Sequence, residues 1–388
     1  MTQRKMTRLY PLVVGAAAAA MLLAGCSAPG QNNNSSSGGS SDKGPIKIAV
    51  VDAQSGQNAD LGGWELKGVK LAFNAANKAG GIDGRKIQLK VYDDQADPTT
   101  GTNLARKVKS DGNIMMMGTA ESAVALAMAP IMAQQEIPMM TSGQSPALGQ
   151  LHNKFVFLNS PPSTAFDQTL AKYLIEKNYK TFAMISNNGA YGQGEHNAFL
   201  AALKTAGVTP VTDQIVTPDQ KDFSSALTTI GQKKPDVLFI GAEEVESGLI
   251  AKQARQLGIK AVFAGGAPMG TSTYMQTAGT SIVEGSVVST PYISNDETAA
   301  TKKFAEAYKA AYGEDAEFHG AKAYDGAEIV IQALKDTKVG TGSKLADAIR
   351  SIKYTGLVGQ FDFDADGVGV HVTKIATIKN GKLVAEKV

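Results

Sequence analysis

The chain has a single cysteine, Cys26, so no disulfide can form within it. Its four histidines, His152, His196, His319 and His371, are scattered without metal-ligand spacing, so no metal site is expected. Charge of one sign is also lacking. With 38 basic and 36 acidic residues the formal charge is only +2, which excludes the polycationic field that draws nucleic acid. There is no phosphate loop and no nucleophile elbow, because Gly143-Gln144-Ser145-Pro146 is followed by Ala147 where a glycine is required. An enzyme reading has no triad to name, and no cofactor is implied. Asp362-Phe363-Asp364-Ala365-Asp366-Gly367 opens like a calcium-binding loop, but its twelfth position is Thr373 and its flanks read as strands. It is expected to be a solvated turn. The apolar run Leu9 to Ala24, broken by Pro11 and Gly15, falls short of the ~20 residues of a spanning helix.

What is present begins with export. Arg4, Lys5 and Arg8 precede that apolar run, the arrangement of a cleaved signal peptide over residues 1–25. Leu23-Ala24-Gly25-Cys26 resembles the lipobox of bacterial lipoproteins, which implies that Cys26 is acylated and becomes the new N-terminus. Two acyl chains, at ~0.8 kcal/mol per buried methylene, would anchor the protein on the extracytoplasmic face of the cell membrane. Residues 26–44 are Gly, Ser, Asn and Gln with almost nothing apolar, a composition expected of a flexible tether with a reach of roughly 20–25 Å.

Beyond the tether, the 388-residue chain, 43% hydrophobic, is long enough for two domains. Short β-branched runs such as Ile46 to Val51 alternate with segments of helical spacing such as Gly63 to Ala79. Strands are expected near residues 86–92, 114–117, 139–140, 155–158, 181–186, 209–216, 237–240 and 261–263, with helices between them. Such alternation implies parallel sheets covered on both faces. The fold class is therefore α/β, with two doubly wound, Rossmann-like lobes. The first lobe is expected over 45–160 plus 292–370 and the second over 161–291 plus 371–388, joined by several crossovers, with the ligand cleft between them.

The residues Ile48-Ala49-Val50-Val51 before Ser55-Gly56, Ala79-Gly80-Gly81-Ile82, Tyr92-Asp93-Asp94 before Asp97-Pro98, Tyr191-Gly192-Gln193-Gly194, and Lys221-Asp222-Phe223-Ser224 resemble the type I periplasmic binding proteins of the leucine/isoleucine/valine-binding group. The resemblance implies a branched-chain or other small amino acid as ligand and an ABC transporter permease as partner. A carboxylate or amide without an α-amino group is the alternative ligand, and a ligand sensor for a signalling partner the alternative role.

It also implies a site. Ser122 falls where the family binds the ligand's carboxylate at a helix N-terminus, although a serine there also serves as a plain cap. Ser142-Gly143-Gln144-Ser145-Pro146 matches a segment that usually reads Ala-Thr-Ser-Pro, with Gln144 where the family has a threonine donor. Tyr191 matches a cleft tyrosine, or else flanks a turn. Ala267 stands where amino-acid binders carry an acid, while Glu243 stands where they often carry tyrosine. Glu243 either pairs with an ammonium or amide of the ligand or, with Glu244 and Glu246, complements the helix dipole. Leu61, Trp64 and Phe318 match positions around the ligand's side chain, with helix core the other reading of Trp64.

Overall fold

The computed structural model describes residues 44–387. The segments expected to form a signal peptide and a tether, with Cys26, lie outside the described residues except for Gly44.

The first lobe is laid down as Ile46–Asp52 (β1), Ala59–Lys78 (α1), Ile87–Asp93 (β2), Pro98–Ser110 (α2), Met115–Met117 (β3), Ser122–Gln135 (α3), Met139–Thr141 (β4) and Val156–Leu158 (β5). Its strands are all parallel, in the order β2-β1-β3-β4-β5. The chain then enters the second lobe with Ser163–Glu176 (α4), Phe182–Asn187 (β6), Ala190–Thr205 (α5), Thr212–Val216 (β7), Ser224–Lys233 (α6), Val237–Gly241 (β8), Glu244–Gln256 (α7), Val262–Gly265 (β9), Ser272–Ala278 (α8), Thr280–Val283 (α9) and Val287–Thr290 (β10). Ala299–Tyr312 (α10), Phe318–Asp336 (α11), Gly342–Ser351 (α12) and the hairpin Lys353–Thr355 (β11) with Gln360–Asp362 (β12) follow. Finally Lys374–Lys379 (β13) and Lys382–Ala385 (β14) extend the second sheet antiparallel, giving β14-β13-β10-β9-β8-β6-β7.

α10 to α12 share one core with β1 and α1, so the chain returns to the first lobe before leaving it again at β13. The Ser289 and Thr373 hydroxyls meet at 3.1 Å and Lys374 pairs with Asp296 at 2.5 Å, tying two of the crossings together.

Neither α4 and β10 nor the short elements α8, α9, β11 and β14 were legible in the sequence. The pair Pro161-Pro162 reads as loop, although Phe166, Leu170, Tyr173 and Leu174 lie on the buried side of the helix that follows. β10 is buried at all four positions and carries no alternation to reveal it. The calcium-like segment is a turn closed on itself: Asp364 Oδ1 accepts from the amides of Asp366 and Val368, both at 2.9 Å. No cluster suited to a metal, and no helix long and apolar enough to cross a membrane, occurs among the described residues.

α1 packs on α11 through Gly68, where an added methyl would lie 2.1 Å from the carbonyl oxygen of Gly320. Gly68→Ala is expected to force these helices apart and cost about 1–3 kcal/mol in urea unfolding. Gly63→Ala in the same helix meets no atom within 4 Å and is expected to be neutral or mildly stabilising.

Candidate functional site

In each sheet the strand order reverses once, between β1 and β3 in the first and between β6 and β8 in the second. A doubly wound sheet opens a crevice at the carboxyl ends of the strands flanking such a switch point. The loops after those four strands converge on one cavity of about 280 Å³, lined by Gln57, Asn58, Glu121 and Ser122 from the first lobe and by Gly189, Tyr191, Glu243 and Glu246 from the second, among others.

On the first-lobe side the loops are fixed by buried hydrogen bonds. Asp52, at the end of β1, accepts from the Ala120 amide at 3.2 Å and the Thr119 hydroxyl at 3.3 Å, holding the chain that leads into α3. Thr141 Oγ1 donates to the Thr119 carbonyl at 2.9 Å, which ties β4 to the same loop. Ser122 Oγ then accepts the amides of Gln144 and Ser145, both at 3.2 Å. With both acceptances made, its hydroxyl proton is still available for a guest beside the free N–H groups of the first turn of α3. Ser122→Ala would strand two buried amides, at about 1–3 kcal/mol each, and is expected to lower the melting temperature as well as ligand affinity.

On the second-lobe side, Asn187 at the tip of β6 donates to Glu243 Oε2 at 2.5 Å and also to Glu246. Gly192 makes this possible, because a Cβ there would lie 2.3 Å from Asn187 Oδ1. One amide serves two carboxylates. Burial first, then repulsion from Glu121 and Glu246, hold the Glu243 carboxyl well above its usual range. Burial and the Glu244 charge push Glu121 up to about 7, against a hydrogen bond from Asn58.

Beside this cavity the lobes are bridged by a buried ionic chain. His319 Nε2 meets Glu244 Oε1 across the lobes at 2.9 Å, its Nδ1 faces Glu65 at 3.5 Å, and Lys322 lies 3.4 Å from Glu65 while donating to the Ser142 carbonyl at 3.0 Å. Burial raises the Glu65 carboxyl, but Lys322 and His319 outweigh it and the net shift is downward. Burial and Lys322 push His319 down, yet Glu317, Glu244 and Glu65 prevail and raise it.

Of the residues singled out in the sequence, Ser122, Tyr191 and Glu243 meet in the one cavity. The others are placed differently. Gln144 does not offer its amide to that cavity, because Nε2 donates to Ser160 Oγ at 2.8 Å. Ser142 and Gly143 are turned inward, the former bonded to Asn159 at 2.9 Å and the latter to Thr141 at 3.2 Å. Trp64 and Phe318 line a separate cavity of about 660 Å³ with Tyr292. The cause is His319, whose ring stacks on Trp64 at 5.9 Å and packs against Phe318 at 4.0 Å while its far nitrogen holds Glu244. Leu61 and Ala267 are buried and line neither cavity.

The sequence reading missed Asn58, Glu121, Asn187, His319 and Lys322. Asn187 carries a positional signal at the end of a strand, and Glu121 directly precedes Ser122. Nothing in the spacing of His319 and Lys322 points to partners more than 70 residues away.

Residues 45–382 match the family model described as periplasmic binding protein. The chain belongs to that family. Among curated relatives it is 31% identical over 326 residues to the Leu/Ile/Val-binding protein BraC3 of Rhizobium johnstonii, covering 80% of this chain and 87% of that one. It is also 31% identical to the Leu/Ile/Val-binding protein of Escherichia coli K12, over 68% of this chain and 72% of the relative. Among solved structures, the branched-chain amino acid transporter substrate binding protein LivJ of Streptococcus pneumoniae, in complex with isoleucine, superposes with a TM-score of 0.82 at 26% identity, covering 88% of this chain and 99% of that one. These likenesses place the chain in the Leu/Ile/Val-binding group with the two-lobed type I fold, a group of solute-binding proteins and not of enzymes.

Proposed function

We propose that this protein is an extracytoplasmic solute-binding lipoprotein of an ABC importer, which captures a branched-chain or other small amino acid between its lobes and presents the closed form to a permease. The observation that carries the reading is the convergence of all four switch-point loops, two from each lobe, on one polar cavity. A guest touching both lobes favours the closed form because only that form makes both sets of contacts. The moving bodies are residues 45–160 with 292–370 and 161–291 with 371–388. Ser122 and the first turn of α3 receive the carboxylate, and Tyr191 and Glu243 close from the other side.

Ala267, where amino-acid binders carry an acid, favours a second reading in which the guest is a carboxylate or amide lacking an α-amino group. Glu243 at the cavity weighs against a purely anionic guest. A thermal-shift screen of amino acids, carboxylates and amides separates the two, since a ligand at 100 times its Kd adds about 2.7 kcal/mol. Absence of binding by all three classes would refute the reading. Anchoring is tested by Cys26→Ser, which is expected to move the protein from the membrane fraction to the soluble one.

A further inference from the structure

The cavity at the switch points is acidic to a degree that an ordinary zwitterion does not require. Glu121, Glu243, Glu246 and Asp219 line it, and no lysine, arginine or histidine does. Glu246 is only 2% exposed, and its Oε1 has no hydrogen-bond partner. Behind Tyr191 lie two further carboxylates, Asp167 and Glu195, both fully buried, whose four oxygens are likewise without a partner at hydrogen-bonding geometry. Lys221 reaches the cavity only through the side chain of Gln57, from an exposed position, and the buried cations Lys322 and His319 are already committed to Glu65 and Glu244. Carboxylates placed in a closed site without counter-charge stay protonated or remain costly until a cation arrives.

We propose that the cavity's guest is a small organic cation, bearing an ammonium or guanidinium group that seats between Glu243 and Glu246 with Glu121 as acceptor from the opposite lobe. The inference rests on the interlobe-capture reading and deepens it by naming the class of ligand. Three features favour an organic cation. Among the described residues no cluster has the arrangement a metal ion needs. The cavity's volume, about 280 Å³, falls just below the ~300–1,000 Å³ of drug-sized ligand pockets, which suits a small guest. Its lining holds the amides of Gln57, Asn58 and Gln95 but no leucine, isoleucine, valine or phenylalanine to receive a branched side chain. Glu121 at the start of α3 adds a further acid to the lining, so a guest with net positive charge is favoured over one with balanced charges. Burial and then repulsion from Glu121 and Glu246 keep the Glu243 carboxyl above the usual range, and burial keeps Glu246 above it against hydrogen bonds with Glu243 and Asn187; a bound cation would reverse both shifts.

The test is calorimetric titration of the full-length protein with putrescine, agmatine, lysine and arginine on one side and leucine, isoleucine and valine on the other. At least one cation is expected to bind tenfold or more tightly than every neutral amino acid, and Glu246→Gln or Glu243→Gln to weaken it by roughly 30-fold or more. The ligand comparison on the unmodified protein stands even where a variant fails to fold. Leucine, isoleucine or valine binding as tightly as the cations would overturn the inference while leaving interlobe capture intact. Cation binding that both substitutions leave unchanged, or no binding by either group, would also overturn it. Hydrogen exchange in the same complexes separates the underlying reading, which fails if protection is confined to one lobe.

Discussion

Replacing Lys322 by methionine is expected to destabilise the protein by about 3–5 kcal/mol in urea unfolding, because it leaves a buried carboxylate without its cation. Lys322 is 1% exposed and sits among Glu65, at 2% exposure, the Ser142 carbonyl and the ring of Phe318. Asp52, also fully buried, repels Glu65, so the substitution leaves Glu65 with a neighbouring acid and without its lysine. Glu65 would respond by taking up a proton, which limits the loss at low pH and enlarges it at high pH. The double variant Lys322→Met, Glu65→Leu is expected to recover much of the stability, since the cost lies in the unpaired charge and not in the missing attraction. Equal losses for the single and double variants would show that Lys322 acts through the Ser142 loop alone.

The second large effect concerns pH. The ligand-free protein is expected to lose stability as pH rises from about 5 to about 8, the reverse of a protein held by salt-bridged surface acids. Burial, ahead of the lesser hydrogen-bond and charge effects, pushes the carboxyls of Glu121, Glu195 and Asp325 up to about 7, against ordinary values of 4.5, 4.5 and 3.8. Between the unfolded and folded values the native state holds protons that the unfolded chain has released, so each such group removes about 1.4 kcal/mol of stability per pH unit. The contribution is whole below the unfolded value and gone above the folded one. His319, raised by Glu317, Glu244 and Glu65 against burial and Lys322, acts in the same direction as it loses its proton. The exposed acids with lowered values, such as Asp97 and Asp222, act oppositely but only below pH ~4. Melting temperatures across that range would check this, with a flat or rising profile contradicting it. A bound cation would flatten the fall by letting the acids ionise inside the fold.

The alternation of strands and helices was legible because helices such as α12 show one apolar stripe and central parallel strands such as Val237–Gly241 are unbroken apolar runs, while the edge strand β2 alternates. Ser122, Tyr191 and Glu243 were legible through the family resemblance, and they follow β3, β6 and β8, where a doubly wound fold places its ligand. What the sequence hid was pairing across distance. His319 reads as one of four scattered histidines, yet it divides the region of Trp64 and Phe318 from that of Glu243 by holding Glu244. Gln144 reads as a substitute donor for a ligand, whereas the crossover residue Ser160 engages its amide. Neither fact has a periodicity.

The central claim is that one guest draws the two lobes together. It is tested most directly by energy transfer between dyes on Lys78→Cys of α1 and Lys204→Cys of α5, in a Cys26→Ser background that removes the only native cysteine. Saturating ligand should change the interlobe distance in a single step that follows occupancy. A distance that stays constant while calorimetry reports full binding would contradict the account.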